Sequence, residues 1–119
     1  MRKIKNVEDA LILFETHVNT IHECSKSGNY RKSNRAYSHV ETIVKYLLEN
    51  HALESLKTFY ESSNLFLRLY AATYLAPVDS ETCYKIIKEI MDKDEGWASF
   101  EAEYTLKDWS KLSLSLIHI

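Results

Sequence analysis

The stretch Asn64-Leu65-Phe66-Leu67-Arg68-Leu69-Tyr70-Ala71-Ala72-Thr73-Tyr74-Leu75 decides the reading of the fold. It has the make-up of the inner helix of a stacked helical repeat. A shift of 31 positions lays Leu65 to Leu75 over Gly96 to Leu106, with Leu69 on Phe100, Ala71 on Ala102 and Leu75 on Leu106. The same shift puts Leu53 on Tyr84, Leu56 on Ile87, Phe59 on Ile90 and Tyr60 on Met91. Two helix pairs thus share one apolar frame, as expected of an array whose repeats stack to bury a continuous core.

Working outward, the pattern stays helical. Val7, Leu11, Phe14, Val18 and Ile21 recur at steps of four and three, one apolar stripe of a helix over Val7–Ser25. Asn6 is placed to cap it, Glu8 and Asp9 suit its positive end, and Gly28 ends it. A second helix is expected over Tyr30–Glu49, with Ala36, Val40, Ile43 and Leu47 aligned. A short third helix spans Ala52–Glu61. Ser62-Ser63-Asn64 breaks it and supplies a cap for the fourth, which Pro77 stops. Asp79 is expected to cap a fifth helix over Ser80–Lys93, and Gly96 to open the turn into a sixth over Trp97–Lys111. The expectation is an all-α domain over 1–111, six helices in three antiparallel pairs, with Leu56, Leu69, Ala72, Ile87 and Leu106 among its most buried residues.

Composition agrees with one globular domain. The 119 residues are 45% hydrophobic and 27% charged, with only two Gly and one Pro to punctuate long helices. The net charge of −2 gives no general attraction to nucleic acid or an anionic membrane. Residues 1–50 carry eight Lys/Arg against six Asp/Glu, and residues 51–119 seven against eleven, differences that solvated helix faces explain. Cys24 and Cys83 lack a C-x-x-C partner and fall at apolar helical positions, so they read as small buried hydrophobes. A charged start and the lack of any spanning segment point to a cytoplasmic protein with no membrane partner.

Residues 112–119, Leu-Ser-Leu-Ser-Leu-Ile-His-Ile, alternate with a period of two, which conflicts with the helical pattern before them. Leu114-Ser115-Leu116-Ile117-His118-Ile119 is the translation of a common transposon-based sequencing adapter. The tail is therefore expected to be non-native and is assigned no function.

Catalytic and cofactor chemistry finds no constellation here. His17 and His22 are five apart and point about 140° from each other on a helix. His39 and His51 stand alone in the sequence, and a metal site needs converging ligands at ~2 Å. There is no Gly-rich phosphate loop, nucleophile elbow or H-E-x-x-H. Glu101 and Glu103 diverge on a helix and cannot share a proton. The chain is expected not to be an enzyme and to need no cofactor. Tyr30, Arg31, Lys32, Arg35 and Tyr37 give the second helix a basic, aromatic start, read first as a solvated edge rather than a phosphate grip.

Three blocks carry a resemblance: Gly28-Asn29-Tyr30-Arg31-Lys32-Ser33-Asn34-Arg35-Ala36-Tyr37, Leu67-Arg68-Leu69-Tyr70-Ala71-Ala72-Thr73-Tyr74-Leu75-Ala76-Pro77-Val78, and Ser99-Phe100-Glu101-Ala102-Glu103-Tyr104-Thr105-Leu106-Lys107-Asp108-Trp109. Over residues 7–111 they resemble small bacterial HEAT-like proteins of the armadillo type, in particular the domain-of-unknown-function family numbered two thousand and nineteen. The resemblance implies a right-handed superhelix of antiparallel helix pairs and binding to another protein. It supplies no catalytic residues. Arg68 falls where HEAT repeats carry a structural arginine, which reaches loop carbonyls or a carboxylate.

A partner would then meet the concave surface, lined by second helices. Phe66, Tyr70 and Tyr74 form a stripe four apart, which the 31-residue shift carries onto Trp97, Glu101 and Thr105. Phe66, Tyr70, Tyr74, Trp97 and Glu101 are the expected partner-binding residues, against the alternative that the stripe packs between helix pairs. The functional expectation is a non-catalytic, monomeric protein-binding module, of immunity or regulatory type, with a nucleic-acid-binding or DNA-processing HEAT-like protein as the alternative.

Overall fold

The computed structural model describes residues 1–93 and 96–107. The non-native-looking tail and the last four residues of the expected sixth helix lie outside them. The described residues are all-α, without a strand: α1 Val7–Ser27, α2 Tyr30–Glu49, a 3-10 helix η1 Leu53–Phe59, α3 Leu65–Leu75, α4 Ser80–Asp92 and α5 Gly96–Lys107. They fall into two compact units, Met1–Ser55 and a second beginning at Leu56.

The first unit is the α1–α2 hairpin. Asn6 Oδ1 accepts from the Asp9 N–H at 2.8 Å, and Gly28 closes α1 in the left-handed region at φ 75°. Only two residues separate helices that pack along their length, so they run antiparallel. Their facing stripes are Ala10, Leu13, Phe14, Val18, Ile21 and Cys24 against Ala36, Val40, Ile43, Val44 and Leu47, all buried. At the far end of α2, His51 adopts φ 55°, and its N–H and that of Ala52 bond back to Leu48 and Leu47. This is a Schellman-type closure with histidine where glycine is the usual choice.

The third expected helix forms, but as a 3-10 rather than an α-helix. Leu53, Leu56 and Phe59 are spaced three apart, matching a helix of three residues per turn, and Leu56 and Phe59 are buried on that one line. The Ser55 and Tyr60 N–H groups bond three residues back, to Ala52 and Lys57.

In the second unit α3 packs against α4 and α5, and α4 packs along α5. Asn64 caps α3, accepting from Phe66 and Leu67 N–H at 3.0 and 3.2 Å. The helix stops at Leu75, two residues before Pro77. Seven of its eleven residues are buried, including Phe66, Leu67, Leu69, Ala71, Ala72, Tyr74 and Leu75. A helix apolar around its whole circumference belongs in the interior.

Asp79 holds the N-cap position of α4 without a side-chain cap bond. Its carboxylate is instead engaged by the Tyr60 hydroxyl. On α5 the inward residues are Ala98, Ser99 and Ala102, small enough for close approach. Buried Ser99 donates to the Ile90 carbonyl at 2.9 Å, in the last turn of α4.

The 31-residue frame is kept where small or central residues repeat: Leu56 and Ile87 are both buried, as are Phe59 and Ile90, and Ala71 and Ala102. It breaks on α5. Leu69 is buried but Phe100 is 52% exposed, and Leu106 is only half-buried, not among the most buried residues as expected. The turn from Gly96 starts α5 so that Ala98 and Ala102, one helical turn apart, face inward. Phe100 lies between them in sequence and is carried outward.

Candidate functional site

Arg68, on α3, reaches in two directions. Its Nε donates to the Tyr60 backbone carbonyl at 2.8 Å, just beyond η1, and Nη2 lies 3.8 Å from Glu89 Oε2 on α4. The Arg68 side chain is 14% exposed and that of Glu89 61%. The carbonyl bond is thus the sheltered contact, and the ion pair faces water, where such pairs contribute little.

Beside it lies a polar cluster that sequence spacing did not bring together. Tyr60 Oη is 3.0 Å from Asp79 Oδ2 and 3.3 Å from Cys83 Sγ, and Lys57 Nζ is 3.9 Å from the same Asp79 oxygen. The phenol donates to the carboxylate, and between its oxygen and the Cys83 sulfur either atom can be the donor, so Tyr60 links Cys83 to Asp79. Burial pushes the Cys83 thiol up to about 11; Asp79 adds to the rise, while the Tyr60 bond opposes it. Burial, then Cys83 and Asp79, push the Tyr60 phenol well above its ordinary range. Both groups are therefore neutral at neutral pH, and a neutral thiol is a poor nucleophile. The arrangement suits a hydrogen-bonded lock between η1 and the start of α4.

The expected partner-binding residues do not form one open surface. Phe66 is 4% and Tyr74 7% exposed, so both side chains are packed interior. Tyr70 is half-buried and stacks on Phe66 at a centroid distance of 6.2 Å. The α3 stripe follows the packed alternative, because α3 is covered by α4 and α5. Glu101, on α5, is half-buried, and burial raises its carboxyl above the usual carboxylate range. Trp97 lies in the first turn of α5; its side chain is outside the described residues.

The exposed aromatics stand on other positions. Phe100 is 52% and Tyr104 61% exposed, one turn apart on α5 with ring centroids 6.0 Å apart. Tyr84, on α4, is 42% exposed. The i,i+4 spacing of Phe100 and Tyr104 was present in the sequence but was hidden by the repeat frame, which placed Phe100 on buried Leu69. In the first unit, Tyr30 is 79% and Tyr37 44% exposed beside exposed Arg31, Lys32 and Arg35.

The two cysteines are buried and unpaired, and no described helix is long and apolar enough to cross a membrane. Comparison with protein-family models, curated proteins and solved structures gives no match. The HEAT-like resemblance accordingly rests on the three blocks of sequence that carry it.

Proposed function

We propose that this chain is a non-catalytic protein-binding module made of HEAT-like helix pairs, a regulatory or immunity-type protein that masks a partner. The observation that carries this reading is the outward face of α5. Single exposed apolar side chains are ordinary. Two aromatic rings held one turn apart on one exposed helix face are the kind of anchor on which protein interfaces concentrate their binding energy. The neutral Tyr60–Cys83 pair supports the non-catalytic side of the reading. A HEAT-like superhelix of three pairs, working as a cytoplasmic monomer in a bacterium, is the architecture that goes with the resemblance. Light scattering tests the monomer.

A second reading has its own observation. Tyr30, Arg31, Lys32, Arg35 and Tyr37 are all exposed at the start of α2, a basic and aromatic edge that can meet a nucleic-acid backbone. Retention on duplex and single-stranded DNA across a salt series separates the two. Protein binding predicts elution at low salt. Retention that falls steeply with salt and is lost in Arg31→Ala/Arg35→Ala supports nucleic acid instead.

A further inference from the structure

We propose that His17 and His39 form an interhelical two-histidine site for a borderline divalent transition-metal ion of the zinc class. Twenty-two positions separate them in sequence, yet the α1–α2 hairpin brings their rings to a centroid distance of 4.7 Å with planes inclined at 56°. With a metal ~2.0–2.1 Å from each nitrogen, each centroid would lie ~3.2 Å from it, and the observed separation corresponds to an angle of ~95° at the metal. That is the angle of two adjacent ligands. Rings inclined to each other can both aim a nitrogen at one point, whereas parallel stacked rings cannot.

The chemistry of the surroundings agrees. Both rings are half-buried, and neither makes a hydrogen bond among the described residues, so no described residue occupies their nitrogens. Burial comes first in lowering the affinity of both for protons, which keeps them neutral and leaves each a lone pair to donate near neutral pH. No third Cys, His, Asp or Glu completes a cluster among the described residues. The ion would hold two imidazoles and water in its other positions, an open and exchangeable site. The charges of Arg35 and of the amino terminus also reach His39 and oppose a cation. Those charges act on every divalent ion alike; the imidazole nitrogens are what select against Mg2+ and Ca2+, which seek oxygen ligands, and favour ions that form directional bonds to nitrogen.

Zinc sulfate is the probe, titrated into the full chain while the imidazole 15N resonances are followed by NMR. The expected result is that the His17 and His39 signals move together and saturate at one Zn2+ per chain, with no response to Mg2+. In calorimetry, His17→Gln and His39→Gln should each lose affinity by more than the roughly 10–100-fold typical of removing an outer-shell partner, since a direct ligand is lost. His22→Gln and His118→Gln should bind as wild type. The NMR arm needs no substitution, so it decides the matter even where a variant fails to fold. Zn2+ that leaves both resonances unmoved at large molar excess, or that moves only one, overturns the site.

Discussion

Arg68 Nε donates to the Tyr60 carbonyl at 2.8 Å, joining the buried helix α3 to the residue that closes η1. One guanidinium thereby satisfies a chain end that regular helix bonding leaves open. Arg68→Ala should destabilise the protein by about 1.5–3 kcal/mol, the range for a hydrogen bond to a charged group with its acceptor left behind. Glu89→Ala should cost less than ~0.5 kcal/mol, because its carboxylate is exposed. Urea denaturation of both variants checks the contrast. Equal losses would show that the ion pair, not the carbonyl bond, holds Arg68.

Tyr60→Phe removes the hydroxyl shared by Asp79 and Cys83. The carboxylate loses its donor, and a loss of about 1–3 kcal/mol is expected. Cys83, with its thiol pushed up to about 11, should resist iodoacetamide at neutral pH in the folded protein and react on unfolding. Rapid alkylation of the native protein at Cys83, read by mass spectrometry, would contradict the lock.

Burial within α3 separates its aromatics. Phe66→Ala and Tyr74→Ala should each lose roughly 3–5 kcal/mol, as for large buried side chains, and Tyr70→Ala less. Leu69→Asp, at 2% exposure, should unfold the second unit by burying an unpaired charge. Thermal melts of the single variants give the order. A Tyr74→Ala protein melting as wild type would put the aromatic stripe back on the surface.

The pH dependence has a definite sign. Burial holds the proton affinities of His17, His22 and His39 below the ordinary 6.5 in the folded chain. As pH falls through 6.5 the unfolded chain takes up protons that the folded chain resists, so stability falls with pH in that range. Asp9, held down to about 2 by the Arg2 guanidinium and the Lys5 N–H, acts with the same sign in a lower window, losing its contribution as pH drops from 3.8 toward 2. Denaturation midpoints between pH 7.5 and 5.5 should therefore decline, and His17→Gln should flatten the decline. A midpoint that rises on acidification would contradict the assignment.

Helix existence and capping were legible because they depend on local signals. Asn6, Asn64 and Gly28 act within a few residues of themselves, and the apolar stripes of α1 and α2 match the 3.6-residue period. The spacing of three in Leu53, Leu56 and Phe59 was also present, but a run that short fits both α and 3-10 periods. Long-range geometry was not legible. The sequence separates Tyr60 from Cys83 by 23 positions and His17 from His39 by 22, and only the turns between helices decide that they meet. The interior position of α3 had a readable signal, since Arg68 is its one charged residue among eleven. The outward face of α5 had one too, the i,i+4 spacing of Phe100 and Tyr104, but the 31-residue frame sets Phe100 against buried Leu69 and masks it.

Partner capture by the α5 face is measured by comparing wild type with Phe100→Ser/Tyr104→Ser. Each protein is used as bait, at equal concentration, in extracts of the organism that carries the gene. Both residues are more than half exposed, so the double variant should melt within about 1 kcal/mol of wild type. Wild type should retain one protein in stoichiometric amount, and the equally stable variant should release it. Retention of the same protein by the variant, or capture of nucleic acid alone, would contradict an α5-centred protein-binding module.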